Sequence, residues 1–293
     1  MTSSFELQGH RGARGLFPEN TLAGFAAAIA LGVDTIELDV GVTKDGVTVV
    51  THDAELNPDL TRTPDGAWLA CTGPAIRTLT RAELRRYDVG RLRPGSGYAA
   101  LFPAQIPQDG ARIPTLADVF AATASTPVDV ELKTRADRSD LTVPPEEMAE
   151  RAVAVAAAAG ALARLTVRAF DWRGLRYLRR VRPGVPLVWL TRAETVARAP
   201  LWWGGPTPAD FGGSVPRAVA AEGGRGAWAP AFSTLTADLV AEAHTLDLRV
   251  FPWTVNTPDM MARLLDWGVD GFCTDRPDLA IALKASGKEG VLF

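Results

Sequence analysis

Short apolar runs alternate with amphipathic segments along most of the chain. The runs that predict strands are FELQG, VDTIELDVGV, TPVDVELK, RLTVRAF, VPLVWL, GAWAPAF, LRVFPWTVN and VDGFCTD. Helical spacing follows the capping candidates Asn20 and Thr21, and predicts further helices over 146–160, 172–181, 236–246 and 258–267 and from Pro277 onward. Strands that alternate with helices favour parallel pairing, and eight evenly spread strands predict a closed (β/α)8 TIM barrel. No Gly-rich dinucleotide motif follows the first strand, which argues against an open doubly wound sheet.

Two segments interrupt this alternation. Residues 54–112 are rich in Pro, Gly and Arg and contain no barrel-like strand, although the capping box from Thr80 to Glu83 predicts one short helix. We interpret 54–112 as an insertion over the barrel mouth, after the second strand region, within a single catalytic domain spanning 1–293. Residues 199–225, which include PLWWGGPTPADFGG, suggest a second irregular loop at the mouth.

The strand TIELDV places acidic residues on one face. Side chains alternate along a strand, so Ile36, Leu38 and Val40 point one way while Glu37 and Asp39 point the other. In a parallel barrel the apolar face meets the helices, and the acidic face then lines the interior. Buried carboxylates are costly unless they bind a positive charge, and their oxygens suit a hard divalent cation. The alternative is an exposed edge strand with solvated acids.

The segment VDVELK repeats this arrangement. Asp129, Glu131 and Lys133 share the inward face, and Glu131 occupies the same relative place as Glu37. Three carboxylates from two strands, Glu37, Asp39 and Glu131, therefore form a candidate metal site. Lys133 is one of only four lysines, and beside an anion it would hold a phosphate oxygen. The alternative is a Glu–Lys pair that serves stability alone.

Two of the three histidines end predicted extended segments. His10 ends the first strand, and His52, followed by Asp53, ends the segment VTVVTHD after the KDG turn. Histidine is the commonest general acid or base near neutral pH, and Arg11 beside His10 offers a planar fork suited to phosphate. His244 lies among polar neighbours in a helical pattern, which predicts a surface position.

Composition narrows the range of partners. The chain has 293 residues, a net charge of −3, 47% hydrophobic and 22% charged residues, which is typical of a globular protein and gives no bulk reason to expect nucleic acid or an anionic membrane. No signal peptide or membrane-spanning run is visible, so we expect a cytoplasmic protein with no stable membrane insertion. Cys71 and Cys273 lack metal-ligand spacing, and we expect reduced, structural thiols.

Taken together, the motifs resemble a known enzyme family. HRGARGLFPENT, ELDVGVTKDGVTVVTHD, ELK, WTVN and GVDGFCTDRPD appear in the order found in glycerophosphodiester phosphodiesterases, a family similar to phosphatidylinositol phospholipase C-like barrels. The resemblance covers the chain from the first strand to the last helix. It implies a TIM barrel with a helical insertion after the second strand. It also implies hydrolysis of small glycerophosphodiesters to glycerol 3-phosphate and an alcohol with one divalent cation, Mg²⁺, Ca²⁺ or Mn²⁺.

The resemblance also implies roles for individual residues. These are His10 and His52 as the acid–base pair, Glu37, Asp39 and Glu131 as metal ligands, Arg11 and Lys133 as phosphate contacts, and Trp253 with Phe170 as an apolar wall. One departure is Ala169, because the family often has serine before this phenylalanine.

Two other functions compete with this one. A phospholipase acting on intact lipid would need exposed apolar loops at the mouth, for which Trp202 and Trp203 are the candidates; packing is the alternative for this pair. A catalytically silent barrel used for binding is the second, but the complete set of histidines and carboxylates argues against it. The sequence does not indicate which alcohol leaves or what the oligomeric state is.

Overall fold

A computed structural model describes residues 5–223 and 226–285, and its centre is a barrel of parallel strands. The barrel strands are β1 (Glu6–Gly9), β2 (Thr35–Val42), β4 (Val128–Leu132), β5 (Leu165–Ala169), β6 (Leu187–Thr191), β7 (Ala227–Pro230), β8 (Arg249–Val250) and β9 (Gly271–Thr274). They pair in the order β8-β7-β6-β5-β4-β2-β1-β9, all parallel. The amide of Asp270 donates to Val250 O at 3.1 Å and that of Cys273 to Pro252 O at 3.0 Å, which closes the ring. The predicted eight-stranded barrel is confirmed.

One strand lies outside this ring. The strand β3 (Thr48–Val50) pairs with β2 in antiparallel fashion, with Val40 opposite Val50 and Val42 opposite Thr48. The KDG turn joins the two strands. Its tight geometry requires a positive φ at Gly46, which is 81°, and glycine adopts this conformation without a steric penalty. The segment containing His52 is therefore delivered by a hairpin rather than by a barrel strand.

Helices surround the barrel. Those of the barrel units are α1 (Leu22–Leu31), α4 (Leu116–Ala122), α5 (Pro145–Ala158), α6 (Trp172–Val181), α7 (Ala193–Ala197), α8 (Ala199–Trp203), α9 (Val215–Ala221), α10 (Ala237–Thr245), α11 (Pro258–Asp266) and α12 (Pro277–Ala285). The predicted cap is present at α1, where Thr21 accepts a hydrogen bond from the Gly24 amide at 3.1 Å. Outward side chains such as Ile36 and Leu38 are fully buried against this layer.

The structure corrects two details. Between 54 and 112 it shows a 3₁₀ turn (Ile76–Thr78) and two short helices, α2 (Arg81–Leu84) and α3 (Gly97–Leu101), where we expected one helix. Ser96 caps α3. A cap alone does not predict a helix, and the five residues that follow it are too few to show helical periodicity. The segment 199–225 is also more regular than expected, since it contains α8 and α9.

The inserted segment has a small core of its own. Five buried side chains from β3, the insertion and its flank pack together, namely Val49, Leu56, Ile76, Leu84 and Ile113. Within the described ranges, no helix combines the length and apolar character needed to cross a bilayer.

Candidate active site

The turn after β1 carries the first candidate residues. A side chain at Gly9 would collide with the Gly12 carbonyl oxygen at 2.3 Å, and Gly12 has φ 89°, so the tight turn requires glycine at both positions. Arg11 also lies in the left-handed region, with φ 50°, which is uncommon for a side-chain-bearing residue and is typical of functional sites. The turn thereby directs both His10 and Arg11 into the barrel mouth.

His10 is oriented by a buried carboxylate. Its Nδ1 lies 2.6 Å from Asp275 Oδ1, while its Nε2 lies 3.9 Å from Glu37 Oε2. Burial alone would raise the pKa of Asp275. The interactions with His10 and Arg14 outweigh burial and hold this pKa well below its usual range. Because an ionised carboxylate only accepts, Nδ1 carries the proton and Nε2 is left with a free lone pair. Burial and the Arg14 charge lower the pKa of His10 to about 4.

His52 shows the same arrangement. Its Nδ1 lies 2.7 Å from Asp53 Oδ1, and Asn57 donates to the other oxygen of Asp53 at 2.8 Å. The side chain is 33% exposed and lines the cavity. Burial, followed by the charges of Arg11 and Lys133, lowers the pKa of His52. Both histidines are therefore neutral near pH 7 in the free protein.

The three acidic residues predicted as metal ligands lie together. One carboxylate oxygen from each of Glu37, Asp39 and Glu131 lies within 4.8 Å of the others, and all three residues are buried. Burial and the negative charge of Asp39 raise the pKa of Glu37 to about 8. Asp39 Oδ1 is buried and accepts no hydrogen bond from the described residues. Hard oxygen donors in this arrangement fit a divalent cation.

Two cations flank the acidic cluster. Arg11 donates to Glu19 Oε1 at 2.7 Å, and its Nε lies 3.1 Å from Asp39 Oδ2. Lys133 Nζ donates to Glu131 Oε1 at 2.7 Å and lies 3.5 Å from Asp39 Oδ1. Burial alone would lower the pKa of Lys133. The negative charges of Glu131 and Asp39 outweigh burial, so the pKa of Lys133 is raised. Both side chains are charged and reach the cavity.

These groups open into one cavity of about 600 Å³ at the barrel mouth. Its charged side holds both histidines and the cations described above, and its other side is apolar and aromatic. Phe170 and Trp253 pack edge to face there with ring centroids 5.3 Å apart, and Trp253 Nε1 donates to Ala229 O at 2.9 Å. Leu190 and Trp202 extend this wall. An anion with a partly apolar remainder matches both sides.

Comparison with known proteins identifies the family. The profile of the glycerophosphoryl diester phosphodiesterase family matches residues 10–279. The chain belongs to this family.

Individual relatives agree along nearly the whole length. A glycerophosphodiester phosphodiesterase of Caldanaerobacter subterraneus is 28% identical, with 95% of this chain and 97% of the relative covered. A crystal structure of a putative glycerophosphoryl diester phosphodiesterase from Silicibacter pomeroyi is 35% identical with a TM-score of 0.88, covering 98% and 95% of the two chains. An Oleispira antarctica phosphodiesterase, solved in complex with the product sn-glycerol-3-phosphate, shares the fold at 20% identity and a TM-score of 0.66, covering 96% and 97%.

In this phosphodiesterase Trp202 and Trp203, for which lipid contact and packing were the alternatives, lie in different environments. Trp203 is buried and stacks on Trp172 of α6 at 3.8 Å between centroids, which is a packing role. Trp202 is 6% exposed and lines the cavity, so neither residue forms an exposed apolar loop. Ala169 faces the helix layer and is fully buried, so a hydroxyl at this position would also point away from the cavity.

Several residues around the site were missed from the sequence. Asp275, Arg14 and Glu19 orient the histidine and the arginine, and Tyr98 of α3 donates to Glu19 and accepts from Arg14 NH1 at 3.2 Å. Of these residues, Asp275 was the easiest to predict from the sequence, because it directly follows the last strand in the motif GVDGFCTDRPD. Tyr98 carries no signal of its own, since its contact spans 79 residues of chain.

Proposed function

We propose that this enzyme hydrolyses glycerophosphodiesters to glycerol 3-phosphate and an alcohol, with a divalent cation and histidine acid–base catalysis. The observation that carries the proposal is that His10 and His52 line one cavity together with Glu37 and Glu131, and that these two carboxylates form a buried triad with Asp39. The product named for the Oleispira enzyme has the chemistry that this cavity suits.

The carboxylate triad fits a divalent cation on two observations. Glu37 has a raised pKa because burial and a neighbouring carboxylate disfavour its charge, and Asp39 Oδ1 lacks a hydrogen-bond partner within the described residues. When bound, Mg²⁺, Ca²⁺ or Mn²⁺ would supply positive charge that stabilises the developing charge on the phosphoryl oxygens.

The protein's own cations perform the corresponding task for the rest of the phosphate. Arg11 presents a planar fork, and Lys133 presents a compact charge 2.7 Å from Glu131. Both are held in place by buried carboxylates, so they need little reorganisation when charge develops at the phosphate. We assign both residues to phosphate binding.

The histidines move the protons. With Nδ1 of His10 donating to Asp275, Nε2 is the atom that takes a proton from the attacking hydroxyl or gives one to the leaving alkoxide. His52 performs the complementary transfer with its own Nε2, oriented by Asp53. Because both histidines are neutral in the free protein, the one that acts as acid must first take up a proton from solvent at Nε2, which the negative charge of a bound phosphodiester favours. If the substrate's own hydroxyl attacks first, water then opens the cyclic phosphate with the two roles exchanged.

The proposal extends to the organisation of the chain. We propose one catalytic domain over 1–293, in which the insertion 54–112 contributes part of the cavity rim. Ala54, Glu55, Asn57 and Thr72 line the cavity from this segment, which supports a place over the mouth. Phe170 and Trp253 would receive the glycerol or the alcohol.

The test measures glycerol 3-phosphate release from glycerophosphoethanolamine. We expect activity to disappear in EDTA and to return with Mg²⁺, Ca²⁺ or Mn²⁺, and the cation to raise Tm. Glu131→Gln should weaken both responses, whereas Asp140→Asn, at an exposed carboxylate paired with Arg138, should leave both unchanged. Full activity in EDTA would refute the metal dependence.

A further inference from the structure

Arg192 follows β6 and lines the aromatic side of the cavity. Its guanidinium carbon lies 5.2 Å from the centroid of the Phe170 ring, a cation–π distance. The backbone is fixed, because the Arg192 amide donates to Thr195 Oγ1 at 3.1 Å and that hydroxyl donates back to the Arg192 carbonyl oxygen. The side chain is 46% exposed, so its charge is open to a ligand in the cavity.

The other cations of the cavity pair with carboxylates that are less exposed to solvent. Arg11, Arg14, Lys133, Arg135 and Arg168 also line the cavity, and each pairs with a carboxylate whose side chain is at most 24% exposed. Among the described residues, Arg192 forms an ion pair with Glu194 at 2.8 Å, and the Glu194 side chain is 72% exposed and does not line the cavity. A pair this exposed contributes little, so an anionic ligand group can replace it at small cost.

The position of Arg192 relative to the phosphate site indicates which part of a substrate it meets. Lys133 Nζ lies 6.0 Å from the centroid of the same Phe170 ring. Both cations therefore flank the Phe170 ring, so a phosphodiester whose phosphate meets Lys133 and whose organic group covers Phe170 has that group within reach of Arg192.

We propose that Arg192 is a specificity-determining residue that selects glycerophosphodiesters whose alcohol carries a carboxylate, such as the serine headgroup. This inference rests on the proposed function. A guanidinium binds a carboxylate through two parallel hydrogen bonds, and the adjacent aromatic face limits access of water to them. An ethanolamine headgroup, identical except for the missing carboxylate, makes no such contact.

Glu55 is one of several acidic residues that line the cavity. It lies just after the hairpin, lines the cavity, and forms no ion pair with the described residues. An ammonium group would be drawn to it, but serine and ethanolamine both carry that group. Glu55 therefore affects both substrates alike and does not discriminate between them.

The test compares kcat/KM for glycerophosphoserine and glycerophosphoethanolamine in the wild type, R192Q and R192K. We expect the wild-type ratio to favour serine by about ten-fold, the strength of one charge-assisted contact. R192Q should bring the ratio close to one, and R192K should retain part of the preference because it keeps the charge. The matched control R198Q changes a 53%-exposed arginine outside the cavity lining and should keep the wild-type ratio, as should E55Q.

Two results would overturn the inference. One is a wild-type ratio at or below one, and the other is a ratio in R192Q equal to that of the wild type. Both leave glycerol 3-phosphate release intact and so spare the proposed function. Absence of glycerol 3-phosphate from either substrate in the wild type with added cation would refute both.

Discussion

The inner face of the barrel has two halves with opposite chemistry. The half built from β9, β1, β2, β4 and β5 points Cys273, Gln8, Glu37, Asp129 and Arg168 inward. The half built from β6, β7 and β8 points Val188, Leu190, Ala227, Ala229 and Phe251 inward, and these form a separate buried cluster. The strands are alike in direction and pairing, so only the residues at inward positions distinguish the halves.

The difference shows how the site is supported. In the polar half Arg168 binds both Asp129 and Gln8, the latter at 2.6 Å, so the charges beneath the acidic triad are paired. A buried pair of this kind adds little net stability, but either partner alone is expensive. In the apolar half the cluster below Trp253 is held by packing alone, which provides a firm wall and no chemistry. Four predictions test this division of labour.

The largest effect is expected in the polar half, at the histidines. His10→Ala and His52→Ala should each lower kcat by about a thousand-fold, because general acid–base catalysis contributes about that much, while Tm changes little. The measurement is steady-state glycerol 3-phosphate release with thermal unfolding in parallel. His244→Ala is the matched control, since His244 is exposed and bonds only to Asp270. Full kcat in either histidine variant would contradict its role.

The pH dependence has a defined direction. A base must be neutral to act, and the pKa of His10 is lowered to about 4 while that of His52 is also lowered. The acid limb of the kcat/KM profile, in which falling pH protonates the histidine that acts as base, should therefore lie below pH 6.5. An acid limb of kcat/KM centred at or above pH 6.5 would contradict the argument that burial lowers the pKa of the histidines.

The second effect concerns stability. Arg168→Met leaves Asp129 buried without its cation and should lower the free energy of unfolding by about 3 kcal/mol or more, measured by urea denaturation. Adding Asp129→Leu to this variant should restore most of that loss, because an apolar pair replaces the ionic one. Leu190→Ala, in the apolar half, should also cost about 2–3 kcal/mol, but by opening a cavity. If the double variant is no more stable than Arg168→Met, the two halves do not differ as described.

The smallest effect is expected where the insertion meets the site. Tyr98→Phe removes the hydroxyl that binds Glu19, so Arg11 is held less firmly, and KM should rise by about ten-fold with a smaller change in kcat. Tyr177→Phe is the matched control, because its hydroxyl contacts Glu150 at 3.4 Å in the helix layer. Equal KM values in the two variants would exclude the positioning role of Tyr98.

The sequence was informative where a residue's role depends on its own strand. Parity along TIELDV and VDVELK placed Glu37, Asp39 and Glu131 on inward positions, and the structure brings their oxygens together. Apolar alternation and helix caps likewise predicted the barrel, since each strand and helix is encoded locally.

Contacts between distant segments could not be predicted in the same way. The Tyr98–Glu19 and Arg192–Phe170 contacts depend on how loops of unknown path approach each other. The short helix α3 was not predicted because its five residues make less than two turns and leave no periodic pattern. Asp275 lay at a strand end, but its partner His10 is 265 residues away.

The closure of the ring by β1 and β9 has a consequence for the synthesis of the protein. Glu6 pairs with Gly271 and Gly9 with Thr274, and the carboxylate that orients His10 comes one residue later. A nascent chain thus carries His10 well before the matching carboxylate, because Asp275 is synthesised 265 residues later. Ribosome-bound intermediates are expected to be inactive, and the appearance of hydrolysis reports completion of the ring.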